Sequence, residues 1–507
     1  MGVITLKAGN GLVTSVESGL FINNEFVEAK AGETLDIENP FNLEKLATLS
    51  AAQGADVDLA VQAAEAAFYG GWKTTLPPVR AKLLHRLADL IEQHADELAL
   101  LEALDAGILF NDSKGLHVPN AVSTLRYFAG WTDKIDGKLL QIPKGTAYTL
   151  REPIGVCTAI VPWNCPLQTD ADSLPLSMIT SWKLGPAIAA GNTLIIKTPE
   201  AAPLWGQKLA SLVKEAGFPA GVINILCGEG AIAGAALSAH QKVKKVSFTG
   251  STAVGRHVLL SAAKSNLKKV TLELGGKGPS IVFSDADWDN ALFWTSLGST
   301  TNNGQICASG SRIYVQDTIY DKFLHAFTER INKAVHGDPV LQETTKGPVI
   351  NASQQKKIFS YIEGAKNDGT RLLHGGEKLD HKGYFVPNTA FADVPESAAI
   401  MKEEIFGPVP SIAKFSTEQE AIQKANDTDY GLSAAVFTNN VNIAQRVSAA
   451  IESGQVTINC WGMLHANTPF GGVKQSGFGR DLGEESLDGW LNSKTVKYFN
   501  IPETSKL

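Results

Sequence analysis

From residue 154 to residue 273 the apolar positions fall into short unbroken runs, each followed by a stretch with helical spacing. Ile154-Gly-Val-Cys-Thr-Ala-Ile-Val161 is apolar on both faces of an extended chain. Strands of that kind are buried on both sides, as in parallel α/β sheets. Thr193-Leu-Ile-Ile-Lys197, Val222-Ile-Asn-Ile-Leu226, Lys245-Val-Ser-Phe248 and Lys269-Val-Thr-Leu-Glu273 repeat the pattern. Helices are expected between them near 203–216, 230–239 and 252–264. Alternating βα units of this size predict a doubly wound, nucleotide-binding sheet. After Gly275-Gly276 a second α/β unit begins with Ser280-Ile-Val-Phe283 and a helix over 286–302, and the alternation runs on to about residue 470.

Upstream, Gly19-Leu-Phe-Ile22 and Glu25-Phe-Val27 read as a small edge sheet. Helical spacing covers 56–68, and a longer helix is expected over 78–104, with Leu84, Leu87, Ile91 and Leu98 on its apolar stripe. Alternation over 137–151 suggests a projecting hairpin, and 496–500 returns to strand. The expected fold class is therefore α/β in three parts. A doubly wound dinucleotide-binding domain takes 1–130 and 154–274, an α/β catalytic domain takes 275–480, and a small β element with the tail takes 131–153 and 481–507.

With 507 residues, 44 % apolar and 19 % charged, the chain has the balance of a globular protein of two or three domains. A net charge of −7 with no basic run argues against nucleic acid as a partner. The five cysteines are Cys157, Cys165, Cys227, Cys307 and Cys460. They are odd in number and lack CxxC spacing, which fits a reducing compartment without disulfides or zinc. The ten histidines form no HxxxH or HxH pair, so no metal is expected. Neither an N-terminal secretory pattern nor a run of ~18 apolar residues is present, so no membrane span is expected. The chain ends Ser505-Lys506-Leu507, which reads as a peroxisomal import address for the import receptor. The expected compartment is the peroxisome, or the cytoplasm if that address is not read.

Two features invite chemistry. Cys307 follows an acid-bearing, Gly-rich turn, Leu272-Glu-Leu-Gly-Gly-Lys277. Taken alone it is equally a nucleophile, whose thiolate needs a helix end, cation or base, or a buried small hydrophobe. Two Gly-rich turns compete for a phosphate: Gly228-Glu-Gly-Ala-Ile-Ala233 and Phe248-Thr-Gly-Ser-Thr-Ala-Val-Gly255. Glu229 would repel a pyrophosphate in the first. In the second, Gly250, Ser251 and Thr252 open a helix whose first N–H groups can hold an anion, so the second is preferred. Glu200, three residues after Lys197, follows a strand end where a ribose would bind. The same two residues also read as a surface ion pair.

Several segments resemble the NAD(P)-dependent aldehyde dehydrogenase superfamily, of the non-acylating, hydrolytic type. They include Pro162-Trp-Asn164, Lys183-Leu-Gly-Pro-Ala187, Lys197-Thr-Pro-Glu200, Phe248-Thr-Gly-Ser-Thr252 and Leu272-Glu-Leu-Gly-Gly-Lys277. Gly304-Gln-Ile-Cys307, Glu403-Glu-Ile-Phe-Gly-Pro408, Tyr430-Gly-Leu432 and Pro469-Phe-Gly-Gly472 follow in order, over about 19–499. The Glu273-to-Cys307 spacing of 34 is typical of the hydrolytic members. The resemblance implies that Cys307 attacks the aldehyde carbon, giving a thiohemiacetal. Asn164 and the Cys307 N–H would hold the oxyanion. Hydride would pass to the nicotinamide, and Glu273 would activate the water that hydrolyses the thioester. It further implies that Lys197 and Glu200 hold the adenosine ribose, and that Gly250 and Ser251 meet the pyrophosphate. Trp163, Glu404 and Phe406 would serve the nicotinamide half. Glu200 favours NAD over NADP, because its charge and bulk oppose a 2′-phosphate. Trp461, Met463, Leu464 and Phe470 would line an apolar aldehyde pocket, and a peroxisomal enzyme would suit an aliphatic aldehyde. A homodimer or homotetramer is implied, with the 137–151 hairpin and the 496–500 strand as its oligomerisation element.

The chain departs from the family twice. Asp481 stands after Ser476-Gly-Phe-Gly-Arg480 where a glutamate is common, in a proton relay that would run through Lys183. Trp182 falls 18 residues after Asn164 where about eight are expected, so roughly ten residues are inserted, Cys165 at their head. The helix beyond would begin at the second Pro-Leu, with Pro175 in its first turn. Two other readings follow. One is a CoA-acylating semialdehyde dehydrogenase, which Glu273 opposes because such an enzyme must not hydrolyse its thioester. The other is an inactive dinucleotide-binding homologue, disabled by the insertion.

Overall fold

The structure, a computed structural model, describes residues 2–164 and 176–499, and only the backbone of 176–178. The inserted segment with Cys165 and Pro175, and the terminal Ser505-Lys506-Leu507, lie outside the described residues.

Five parallel strands form the centre of the first sheet. Their order is Lys269–Glu273, Lys245–Thr249, Val156–Ile160, Thr193–Thr198 and Ile223–Cys227. In the middle three and the last, every residue is buried, which is why those runs carry no polar alternation. The hairpin Leu20–Ile22/Glu25–Val27 closes one edge. The short strand Gly477–Phe478 closes the other, antiparallel against Leu272 and Glu273.

A second sheet of seven strands has Pro279–Val282 between Arg312–Gln316 and Ser433–Phe437, all parallel. In the third sheet, Leu491–Phe499 pairs along its whole length with Gly145–Pro153, which pairs in turn with Leu139–Ile142. Among the described residues no helix is long and apolar enough to cross a membrane.

Three elements differ from expectation. The helix expected over 78–104 is two, Pro77–Gln93 and Ala95–Ala106, broken at His94. The His94 ring turns back to meet the Glu97 carboxylate at 2.6 Å. The helix expected over 230–239 opens with a π turn, Gly230–Gly234, before Ala235–Ala239. The helix expected over 286–302 ends at Thr300. Beyond it Asn302, Asn303 and Gly304 take φ of 46°, 54° and 65°. Asparagine and glycine tolerate that left-handed region, which redirects the chain toward Cys307.

Candidate active site

Three chain segments converge because glycines let them. A Cβ on Gly276 would overlap the Cys307 carbonyl oxygen, and one on Gly275 would overlap the Glu404 carboxylate. A Cβ on Gly304 would overlap the Gly407 carbonyl. The turn after Glu273, the loop carrying Cys307 and the segment 404–407 thus touch backbone to backbone. Gly276→Ala would push the Cys307 loop off its position. Misplacement by about 1 Å costs ~10²-fold in rate. The expected variant is folded by circular dichroism, with aldehyde turnover down about 10²-fold; unchanged turnover would show that the close approach is dispensable.

Cys307 is half-buried in this loop. Cys157 and Cys227 are buried, which pushes both of those thiols up to about 12. Cys460 is raised too, by burial. The buried Asn164 side chain reaches the same loop, its Nδ2 donating to the Gln305 carbonyl (2.9 Å). An amide nitrogen carries two hydrogens, so one remains for another acceptor. Gln305 is itself held, its Oε1 accepting from the Ile350 N–H (3.0 Å).

Glu273 ends its strand in a buried carboxylate. Oε2 accepts from the Thr249 hydroxyl (3.2 Å) and lies 3.8 Å from the Lys183 ammonium. Lys183, itself 1 % exposed, meets Asp481 at 2.5 Å. A backbone bridge between Asp481 and Phe470 (2.7 Å both ways) draws Asp481 inward, and the shorter acid still reaches the lysine. Burial holds the Glu273 carboxyl well above the usual carboxylate range, helped by Asp481 and the nearby Cys307 and opposed by Lys183. A carboxyl in that state exchanges protons at higher pH than an exposed one.

The expected ribose residues lie together: Lys197 Nζ meets Glu200 Oε2 at 2.6 Å. Glu200 Oε1 accepts from the Gly230 N–H (3.2 Å). Burial pushes Glu200 up, but the Lys197 charge brings it net below its ordinary value. The first Gly-rich turn, less favoured in the sequence, therefore packs against this pair. The second begins helix Thr252–Ser265, with the Ser251 hydroxyl accepting from the Val254 N–H. Its Gly250 N–H donates to the Glu273 carbonyl (3.1 Å), so this turn also braces the candidate base. Glu404 Oε1 accepts from the Gly276 N–H (3.1 Å), and Phe406 meets Trp163 edge-on at 5.5 Å.

The expected aldehyde pocket is less open than its composition suggests. Trp461, Leu464 and Phe470 are buried in the core, and only Met463 is partly exposed. The Trp461 indole N–H donates to the Ala308 carbonyl (3.0 Å), which props the Cys307 loop from behind. Thr249 escaped the sequence reading, although it sits inside the quoted Phe248–Thr252 turn. Its position at a strand end beside Glu273 is the signal that would have found it.

The family model described as "Aldehyde dehydrogenase family" matches residues 26–496. The chain is 50 % identical over 480 residues to an aldehyde dehydrogenase of Davidiella tassiana, covering 94 % of this chain and 95 % of that one. Among solved structures it is similar to the NAD+ complex of aldehyde dehydrogenase from Bacillus cereus, at 41 % identity and TM-score 0.92, covering 96 % and 97 % of the two chains. It is also similar to the betaine aldehyde dehydrogenase from Staphylococcus aureus in complex with NAD+, at 38 % identity and TM-score 0.92, covering 97 % of each.

Proposed function

Since the chain belongs to the aldehyde dehydrogenase family, we propose that its oxidation of aldehydes runs through a Cys307 thioester with NAD as the acceptor. The observation that carries this reading is the convergence of Asn164 and the buried Glu273 carboxyl, held above the usual carboxylate range by burial, on the loop of Cys307.

The Cys307 thiolate adds to the aldehyde carbon and forms a thiohemiacetal. The second Asn164 N–H and the Cys307 N–H hold the oxyanion, fixed in place by the Gln305 contact. The bound dinucleotide supplies the hydride acceptor. Glu273 takes the thiol proton and then the proton of the water that cleaves the thioester. Behind Glu273 the Lys183 ammonium serves as a relay, taking a proton from Glu273 only as it hands one of its own to Asp481. Glu273 is also why a CoA-acylating activity is not favoured.

The residues fit a dinucleotide. The Lys197–Glu200 pair offers a charged donor and acceptor to ribose hydroxyls, and the missing Gly230 side chain leaves room beside them. Helix Thr252–Ser265 turns its N-terminus, with Ser251 at its cap, toward the phosphates. Glu404, Phe406 and Trp163 serve the nicotinamide half. Glu200 opposes a 2′-phosphate, so NAD is the cofactor and NADP the poorer one. The apolar Met463 region suits an aliphatic aldehyde. Ser505-Lys506-Leu507 directs the protein to the peroxisome. Exposed Val254, Leu259 and Leu260 on helix Thr252–Ser265, with the open edge of Leu491–Phe499, support a homodimer or homotetramer.

The test is NADH formation from a series of medium-chain n-alkanals. Turnover with NAD at least ~10-fold above that with NADP is expected, since one misplaced charge at a ribose is worth about 1–3 kcal/mol. An acyl-CoA product on adding CoA, or no NADH from any alkanal, would overturn the reading.

A further inference from the structure

A second concavity lies away from these residues. A cavity of about 520 Å³ opens between helix Trp288–Thr300, the loop 107–112 and the segment 330–347. That is the size of a small-molecule site. Neither Cys307, Glu273 nor Asn164 lines it. Its floor is Thr300 to Asn303, the left-handed turn that leads into the nucleophile loop.

The charge of the lining runs against that of the protein. Arg330, Lys333 and Lys346 face Asp112 alone, in a chain of net charge −7. Lys346 is 8 % exposed, and its ammonium donates to the Thr300 carbonyl. Burial pushes that ammonium down to about 7, with Asp112 opposing, so a further anion would help it keep its proton. Arg330 and Lys333 are exposed at the rim. The Arg330 guanidinium sits 5.0 Å from the Phe293 ring, which holds it flat against one wall. Leu297, Ile108 and Leu341 add apolar wall.

We propose that this cavity binds a small carboxylate with an apolar body, at a site separate from the aldehyde site. The carboxylate meets Arg330 and Lys333, and the hydrocarbon lies on Phe293 and Leu297. Occupancy bears on the turn before Cys307, because floor and loop are one stretch of backbone.

The test is calorimetric titration of the full chain with octanoate and octylamine. Expected is saturable binding of octanoate and none of octylamine. The double variant Arg330→Glu/Lys333→Glu should weaken binding at least ~10-fold through the lost charge-assisted hydrogen bonds. Leu341→Trp, which fills the mouth from an exposed position, should weaken it independently. Both variants should keep wild-type aldehyde turnover. Binding unchanged in both variants would place the ligand in the aldehyde site and overturn the proposal. So would octylamine binding as tightly as the acid, or no saturable binding at all.

Discussion

Cys307→Ala is expected to abolish steady-state aldehyde oxidation, by roughly four orders of magnitude or more, while leaving the fold and the affinity for NAD intact. Removing a nucleophile removes the covalent route, and the groups around it then have nothing to act on. The change deletes one half-buried sulfur from a loop held by backbone contacts at Gly276 and by Asn164, so little stability is lost. Turnover and cofactor titration, measured on the same preparation, separate the two effects. A variant as active as the wild type would sink the thioester mechanism. Cys460→Ala should be near neutral, because that thiol is raised by burial and lies outside the convergence described.

Glu273→Gln is expected to let the first half of the reaction run once and stall the second. Loss of a general base costs ~10²–10⁴-fold. NADH should appear in a burst no larger than the enzyme concentration, and an acyl group should remain on Cys307 by intact mass. The pH profile gives an independent check. Burial, seconded by Asp481, holds the Glu273 carboxyl above its ordinary range, so its base form is gained only as pH rises. Wild-type turnover should therefore fall on acidification sooner than an exposed carboxylate would dictate, and the glutamine variant should lack that limb. A variant with no burst and an unchanged limb would assign the base elsewhere.

The legible part of the fold was the part written in burial. Val156–Ile160 and Thr193–Thr198 are apolar runs because both their faces are covered, as are those of Ile223–Cys227 and Lys245–Thr249 in the same sheet. The breaks were not legible. His94 interrupts a continuous apolar stripe because of a side-chain contact to Glu97, and spacing alone is blind to that. In the left-handed turn, Asn303 donates to the Gly347 and Pro348 carbonyls far along the chain, a contact that spacing does not reveal.

At the candidate site the residue types were legible but their grip on one another was not. Asn164 could be named from its motif, yet its hold on Gln305 is a tertiary fact. The missing methylene of Asp481 looked like a defect in sequence. Its backbone is bridged to Phe470, and its carboxylate meets Lys183 all the same. The glycines of Leu272-Glu-Leu-Gly-Gly-Lys277 read only as a Gly-rich turn, whereas their use is to admit the Cys307 carbonyl and the Glu404 carboxylate where a side chain would stand.

The contact between Lys183 and Asp481 spans 298 residues of chain. On a ribosome adding ~5–20 residues per second, the lysine waits on the order of 15–60 s for its counter-charge. Until then its burial is unfavourable, and the strand that will cover the Glu273 edge has not been made. The first sheet can assemble early from its own βα units, but the pocket cannot. A nascent chain that has passed Cys307 therefore holds the thiol, Lys183 and Glu273 without Asp481, and competence waits until residue 481 is made.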